Sequence, residues 1–452
     1  MSFYESLYNR LMLSGDERSG VVKRNVFGGL VLKGISIATS LILVPLTIGY
    51  VSPELYGVWL TLSSLIAWLS FLDVGFTQGL KNQLAEAIAT DRWDDGKALV
   101  STTYFAMILI FLPLGMLLMF VVPLVPWCEL LNADGAYEQQ IIQAMQALVF
   151  FFCLQMIVNV LVSVAAAFQK VALSSSFGVI GNILAVIVIY VLTLTCPPSL
   201  FALSLAMGAM PVVVTLVAGV FLYSNTFSRV APSLAAVNAA YIKGLLNLGI
   251  KFFIINVQVV VLYQSTNMLI SYFSSPIQVT YYNIAYRYLN VAMMLYTIIT
   301  APLWPAYTDA YTRGDYAWMK KSQQRMVRIL ALSLIGCCLM MAVSKPLYRL
   351  WIGNEITVPW MMTILVGCYV MIYCWMTLYG TLIVGIGKIQ LETILVSIGM
   401  LVHIPLSFLL SSLCGPYGVI ISMSVITLVY AIVFQIQVHK ILNRTAHGIW
   451  NK

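Results

Sequence analysis

Apolar residues run through this chain in blocks of about twenty, separated by short polar stretches. A block of that length matches an α-helix crossing a ~30 Å hydrocarbon core at ~1.5 Å per residue. Twelve blocks are readable, at roughly 28–50, 56–80, 98–122, 141–167, 173–195, 201–223, 245–273, 277–304, 326–346, 358–384, 390–412 and 416–438. They predict an all-α polytopic membrane protein of twelve transmembrane helices. The polar stretch "MSFYESLYNRLMLSGDERSGVVKRN" has no apolar signal core, so the first block is expected to be a span and not a cleaved leader.

Composition agrees with the pattern. The chain is 61% hydrophobic and 9% charged, with a mean hydropathy of +0.93, whereas soluble domains are about 25% charged. The positive charges fall in alternate loops: Arg10, Arg18, Lys23 and Arg24; Lys81, Arg92 and Lys97; Lys170; Arg229 and Lys243; Arg313, Lys320, Lys321, Arg325 and Arg328; Lys388; then Lys440, Arg444 and Lys452. The other loops hold Glu54, Glu129, Asp134, Glu138 and Glu355, with Lys345 and Arg349 as exceptions. Lys/Arg-rich loops stay on the cytoplasmic side, so both termini are expected there. The net charge of +8 mostly reflects this bias and gives no reason to expect nucleic acid as a partner. The eight cysteines and three histidines (His403, His439, His447) have no spacing that predicts a disulfide framework, a metal site or a bound cofactor.

The chain also matches itself. Ser52-Pro53 recurs as Ser275-Pro276, and at the same offset of 223 Glu86-Ala87 meets Asp309-Ala310, Trp93 meets Tyr316 and Lys97 meets Lys320. Further on, Trp127 matches Trp351 at an offset of 224. At 218, Lys170 matches Lys388, Gly181 matches Gly399 and Pro198 matches Pro416. With six spans each, the halves share one topology and are expected to be parallel repeats about an axis along the membrane normal. The expected layout is a cytoplasmic segment 1–27, a bundle 28–225, a cytoplasmic linker 226–247, a second bundle 248–438 and a cytoplasmic tail 439–452. No P-loop motif and no catalytic constellation is present, so neither an ATP motor nor an enzyme is expected.

The stretch "FLDVGFTQGLKNQLAEAIATDRWDDGKALVSTTYFAM" (71–107) resembles the second-to-third-span region of Wzx-type O-antigen and polysaccharide flippases. The matching residues are Asp73, Gly75, Gly79, Leu80, Asn82, Leu84, Glu86 and Ala87, and "YGVW" at 56–59 fits as well. This resemblance implies the MATE/MOP superfamily layout of two six-helix halves. It implies transport of undecaprenyl-pyrophosphate-linked oligosaccharide from the cytoplasmic to the periplasmic leaflet of a bacterial inner membrane. The implied partners are that substrate, membrane lipids, and the polymerase and chain-length proteins of a polysaccharide pathway. Read for physical reasons, Gly75 and Gly79 have the small-xxx-small spacing of close helix contacts, and "LAEAIATDRWDDGKALV" has an amphipathic helix pattern.

Charges inside the apolar blocks mark the candidate site, because an arginine at a helix centre costs about 2.5–3.5 kcal/mol on insertion scales. Thr280, Asn283, Arg287, Asn290 and Thr297 share one face of the eighth block. Arg287 is expected near mid-depth, either at a water-filled cavity as a ligand for an anionic headgroup or bonded to helix carbonyls across the bundle. Lys251, with Gln258 and Ser265 above it, and Lys33, with Ser36, Ser40 and Thr47, are further candidates for substrate contact. Lys33 and Asp73 are expected to pair as a structural or gating contact, the alternative being a proton site, and Glu86 and Asp309 to act at the cytoplasmic gate. His403 is either a proton site or bonded to a neighbouring helix. The superfamily's drug exporters carry an acid in the first span, and here that span holds a lysine. A drug/cation antiporter is therefore the second reading, and a non-transport component of a polysaccharide assembly the third.

Overall fold

The computed structural model describes residues 17–73, 75–242, 245, 264–300, 303–354 and 356–451. The first half contains α1 (Glu17–Tyr50), α2 (Pro53–Ala67) with a 3-10 extension (Trp68–Asp73), α3 (Phe76–Ala89), α4 (Trp93–Val121), α5 (Trp127–Leu131), α6 (Glu138–Val158), α7 (Val160–Ala167), α8 (Val171–Thr195) and α9 (Leu200–Ser224). In the second half, residues 264–273 are helical. They are followed by α10 (Pro276–Thr300), α11 (Leu303–Thr312), α12 (Tyr316–Ala342), α13 (Ser344–Ile352), α14 (Trp360–Gly385), α15 (Gln390–Cys414) and α16 (Tyr417–Leu442). No strand occurs among the described residues.

The protein is a multi-pass membrane protein. Among the described residues nine helical stretches are long and apolar enough to cross a bilayer. Two further expected spans are α2 with its extension and α10 with its polar stripe, and most of the expected block 245–273 lies outside the described residues. The spans leave apolar side chains such as Leu117, Phe120, Leu124, Leu332 and Leu339 exposed on their outer faces. Such faces are stable against lipid chains, where helices also satisfy every backbone polar group internally. We call the side holding the start of α1 and Asn451 the terminal face, and the opposite side the distal face.

The repeat reaches down to individual backbone hydrogen bonds. Between α3 and α4, Asp91 is left-handed at φ 54°, and Gly314, at φ 71°, occupies the equivalent place between α11 and α12. The N–H groups of Asp91, Arg92 and Trp93 donate to the carbonyls of Ile88, Ala87 and Asp91, and those of Gly314, Asp315 and Tyr316 to Tyr311, Ala310 and Gly314. Every donor and acceptor is displaced by 223 residues. At the 218 offset, Lys170 N–H bonds the Ala165 carbonyl as Lys388 N–H bonds that of Ile383. Gly181 and Gly399 both sit where the fifth and sixth spans of their halves cross. A Cβ would lie 2.6 Å from Pro211 Cα at the first and 1.7 Å from the Tyr430 hydroxyl at the second.

Two local expectations are corrected. The 56–80 block is not one helix: the α-helix ends at Ala67, and the chain turns through a left-handed Gly75 (φ 82°) before α3 starts. Gly75 is therefore needed for its backbone conformation, and of the two glycines it is Gly79 that meets a close neighbour, with Leu245 O 2.3 Å from where a Cβ would stand. "LAEAIATDRWDDGKALV" is likewise not a single amphipathic helix, because the turn at Asp91 divides it between α3 and α4.

The segment after α9 is tied to the first half. Ser233 N–H donates to Ser101 Oγ at 3.0 Å and Asn238 N–H to Thr102 Oγ1 at 3.0 Å. The Tyr241 hydroxyl donates to Asp95 at 2.7 Å, and that carboxylate holds the phenol above its usual pKa.

Candidate substrate site

The site is built where the halves meet. Pro53 and Pro276, equivalent residues, start α2 and α10 at the distal face, where a missing N–H costs nothing. The two helices then pack against each other about their pseudo-two-fold relation. The Thr280 hydroxyl donates to the Pro53 carbonyl. At the matching position Gly57 abuts Pro276, whose carbonyl oxygen would be 1.8 Å from an added Cβ. Asn132 bonds the Ser274 carbonyl, and the Ser271 hydroxyl donates to the Leu131 carbonyl at 2.6 Å. The distal face is closed by these contacts.

Deeper in, two polar crossings occupy one position of the repeat, residue 64 in α2 and residue 287 in α10. Ser64 Oγ accepts from Asn267 Nδ2 at 2.7 Å, and Asn267 Oδ1 accepts from Asn283 Nδ2 at 2.9 Å. On the other side Arg287 Nη1 donates to Ser40 Oγ at 2.6 Å and to the Ser40 carbonyl at 3.2 Å. Beside it, the Trp351 indole N–H donates to the Leu41 carbonyl at 2.8 Å. That carbonyl is free because Pro45, inside α1, has no N–H to offer it.

Arg287 lies eleven residues from the start of α10 and Ser40 ten from the end of α1, so both are about 15 Å below the distal face. Mid-depth is thus where the arginine sits, and the carbonyl-bonding alternative for it is realised in this conformation. The side chain is only half-buried. Among the described residues no carboxylate pairs with it, since the ion pairs there join Arg92 to Glu86 at 3.0 Å and to Asp95 at 3.3 Å. Among the described residues only Nη1 is bonded, and Nε and Nη2 have no acceptor there. One turn toward the terminal face, the Asn290 amide oxygen has no hydrogen-bond partner among the described residues. A guanidinium of this kind can offer two parallel N–H groups to an anion in a low-dielectric setting.

The other expected residues are placed as follows. Asn283, expected at a cavity wall, is buried in the Ser64–Asn267–Asn283 network and also donates to the Val279 carbonyl at 2.9 Å. Lys33 and Asp73 form no ion pair among the described contacts. α1 packs mainly along α8, while Asp73 accepts from Thr77 N–H at 3.2 Å and its hydroxyl at 2.6 Å, capping α3. Glu86 is exposed and held by Arg92. Asp309 falls in α11, but its side chain, like all of Lys251 and Gln258, lies outside the described residues. His403 is fully buried, with Nδ1 3.1 Å from Ser422 Oγ on α16, the helix-bonding alternative. All eight cysteines are unbridged. The sequence reading missed Asn267 and Ser64, polar residues in the seventh and second spans whose partners lie on other helices.

Comparison with solved structures decides the fold. A multidrug resistance MATE family transporter of the MOP superfamily in an inward-facing conformation superposes with a TM-score of 0.71, over 90% of this chain and 100% of that one, at 14% identity. The fold is that of the MATE/MOP transporters. The lipid II flippase MurJ in an inward closed conformation shares it, with a TM-score of 0.67 over 92% of this chain and 87% of its own. Among curated proteins, a "Putative O-antigen transporter" of Salmonella typhimurium is 24% identical over 176 residues, 38% of this chain and 40% of that relative. The match thus spans well under two thirds of the relative's length. No family model matches. The expected MATE/MOP layout is thus found in the solved structures, and the O-antigen resemblance has a counterpart in the name of the curated relative.

Proposed function

We propose that this protein is a flippase for lipid-linked oligosaccharides, moving undecaprenyl-pyrophosphate-linked repeat units from the cytoplasmic to the periplasmic leaflet of a bacterial inner membrane, with both termini cytoplasmic. The observation that carries the reading is Arg287: a mid-depth cation at the junction of two MATE/MOP halves, without a carboxylate partner or an acceptor for Nε and Nη2 among the described residues. In this reading the pyrophosphate enters from the terminal face and engages Nε and Nη2, and Asn290 holds a sugar hydroxyl or a bridging water. Lys251 and Lys33 attract the headgroup from nearer the terminal face, and the isoprenoid tail stays in lipid. Opening the distal face requires Arg287 to leave Ser40, and phosphate oxygens replace the lost acceptors at that moment. The bond that closes the gate is thereby exchanged for one to the substrate, so that closure and binding compete for one guanidinium.

Polysaccharide polymerase and chain-length proteins are the partners this role calls for. The alternative, a drug/cation antiporter on the same fold, is disfavoured by Lys33 in the first span and by the unneutralised Arg287, both of which repel cations. The test is restoration of surface polysaccharide in a host lacking its own copy, normalised to membrane protein level. Arg287→Ala and Arg287→Glu abolish transport with folded protein retained, and Arg287→Lys keeps part of it because charge remains while the fork geometry is lost. Lys251→Ala is milder. Full activity of Arg287→Glu would overturn the anion-site reading.

A further inference from the structure

Away from the half–half junction, the terminal face of the second half holds a second arginine whose side-chain donors find no acceptor among the described residues. After α16 the chain turns through a left-handed Arg444 (φ 58°), fixed by Arg444 N–H to the Ile441 carbonyl at 3.0 Å and Thr445 N–H to that of Lys440 at 2.8 Å. The turn lays the Arg444 guanidinium over the Tyr316 ring, 4.5 Å from its centroid, and Tyr311 meets Tyr316 edge-on at 6.0 Å. These residues, with Ile441, Ala446 and Asn451, line a cavity of 440 Å³. No hydrogen bond or ion pair from Arg444 to another side chain is found among the described residues. A short helical turn (Gly448–Asn451) walls the cavity. It is pinned by Gln437 Nε2, which donates to the Trp450 carbonyl at 3.4 Å, and by Lys440, whose ammonium lies 4.0 Å from the Trp450 ring centroid.

The first half carries the counterpart in a filled form. Trp93, the repeat equivalent of Tyr316, lies beneath Arg229 at 5.0 Å, but Phe168 and Phe227, 4.7 Å apart, pack in beside it. The second half has the arginine-on-aromatic arrangement with the space left open.

We propose that the Arg444 cavity seats the phosphate of an anionic phospholipid from the leaflet at the terminal face. Stacking orients the guanidinium and leaves its edge to the phosphate oxygens. Asn451 and the tyrosine hydroxyls suit a glycerol headgroup, and Lys440 adds positive potential. Ile441 and Ala446 form an apolar floor, and the exposed Ile449 flanks the rim, which suits the first carbons of an acyl chain and not a free anion. The site lies among Tyr and Trp side chains, at the depth where such residues meet headgroups.

The test is lipid binding to the full-length protein in neutral detergent, read by native mass spectrometry and by the thermal-unfolding midpoint. The probes are phosphatidylglycerol, phosphatidylcholine and inorganic phosphate. Phosphatidylglycerol is expected to bind and raise the midpoint, and Arg444→Gln to weaken that binding about fivefold, the effect of one interfacial cation. Arg444→Lys retains part of it, Arg229→Gln changes it little, and phosphatidylcholine binds more weakly in every variant. Equal phosphatidylglycerol binding by wild type and Arg444→Gln overturns the proposal. So does stabilisation by inorganic phosphate alone with the same dependence on Arg444, which would make the cavity a free-anion site. If Arg444→Gln misfolds, Tyr316→Leu, which removes the stack and keeps the charge, is expected to weaken phosphatidylglycerol binding, and no change there also overturns it.

Discussion

The second spans of the two halves, α2 and α10, start from equivalent prolines and pack against each other, yet their facing surfaces differ in kind. Where α10 presents Thr280, Asn283, Arg287 and Asn290, α2 has Gly57, Leu60, Ser64 and Ala67 at the same repeat positions. The scaffold tolerates the difference because the crossings use one geometry: each helix sends a polar contact to the first span of the opposite half, Arg287 to Ser40 and Ser64 to Asn267. A duplicated bundle thus has two sockets at one depth, with charge in only one. An off-axis cation can hold a substrate against one half while the other moves, whereas two arginines at the same depth would repel each other. On the function proposed above, only the charged socket serves binding, while both serve closure.

The sharpest way to break this comparison is to give α10 the residue that α2 has. Arg287→Ser removes the charge-assisted bonds and the proposed ligand together, and transport is expected to fall at least about tenfold, the scale of one lost hydrogen bond to a charged group. Ser64→Ala, at the twin position, removes a neutral bond worth about 1 kcal/mol and is expected to cost at most about fivefold. The readout is surface polysaccharide per folded protein. Equal losses at both positions would mean that Arg287 acts as a brace like Ser64 and that the anion site lies elsewhere.

A second contrast concerns closure. Gly57 leaves no room for a side chain against Pro276, so Gly57→Leu is expected to hold the distal face open. Thr280→Val, at the equivalent place, removes one hydrogen bond and is expected to leave the face mostly closed. Spin labels at Glu129 and Asn354, in a cysteine-free background, report the separation. Gly57→Leu lengthens it by several Å or more and Thr280→Val by less, and unchanged distances in Gly57→Leu would sink the assignment of this contact as the distal gate.

Much of this architecture was legible before any coordinates. Span length and the alternation of Lys/Arg between loops follow from the bilayer itself, and the offsets of 223 and 218 carry through to the hydrogen bonds of the turns at Asp91, Gly314, Lys170 and Lys388. What hydropathy misses is a change of backbone hand inside an apolar run, as at Gly75, because an average over a window of residues carries no information on φ. Partner choice was also hidden. Lys33 and Asp73 are expected at similar depth from the sequence, but depth does not make neighbours, and α1 lies along α8. Asn283 shares a face with Arg287, yet its partner is Asn267 on a preceding helix, and one helix's periodicity cannot show that.

The smallest expected effect tests the repeat itself. Asp91 and Gly314 fill equivalent left-handed turns, and a Cβ at Gly314 would meet nothing within 4 Å, so substitution there costs backbone energy alone. A left-handed non-glycine residue costs about 1–2 kcal/mol, less for aspartate, and replacing glycine returns about 0.4–1 kcal/mol by narrowing the unfolded chain. Gly314→Ala is therefore expected to lose roughly 1 kcal/mol of stability. Asp91→Ala should lose a smaller amount of the same sign, because it gives up aspartate's tolerance of the turn without the unfolded-state gain, and Asp91→Gly should be close to neutral. Unfolding midpoints in detergent separate these outcomes. A gain for Gly314→Ala would mean that the turn relaxes out of the left-handed conformation there, and that the two turns, despite their matching hydrogen bonds, are not held by the same geometry.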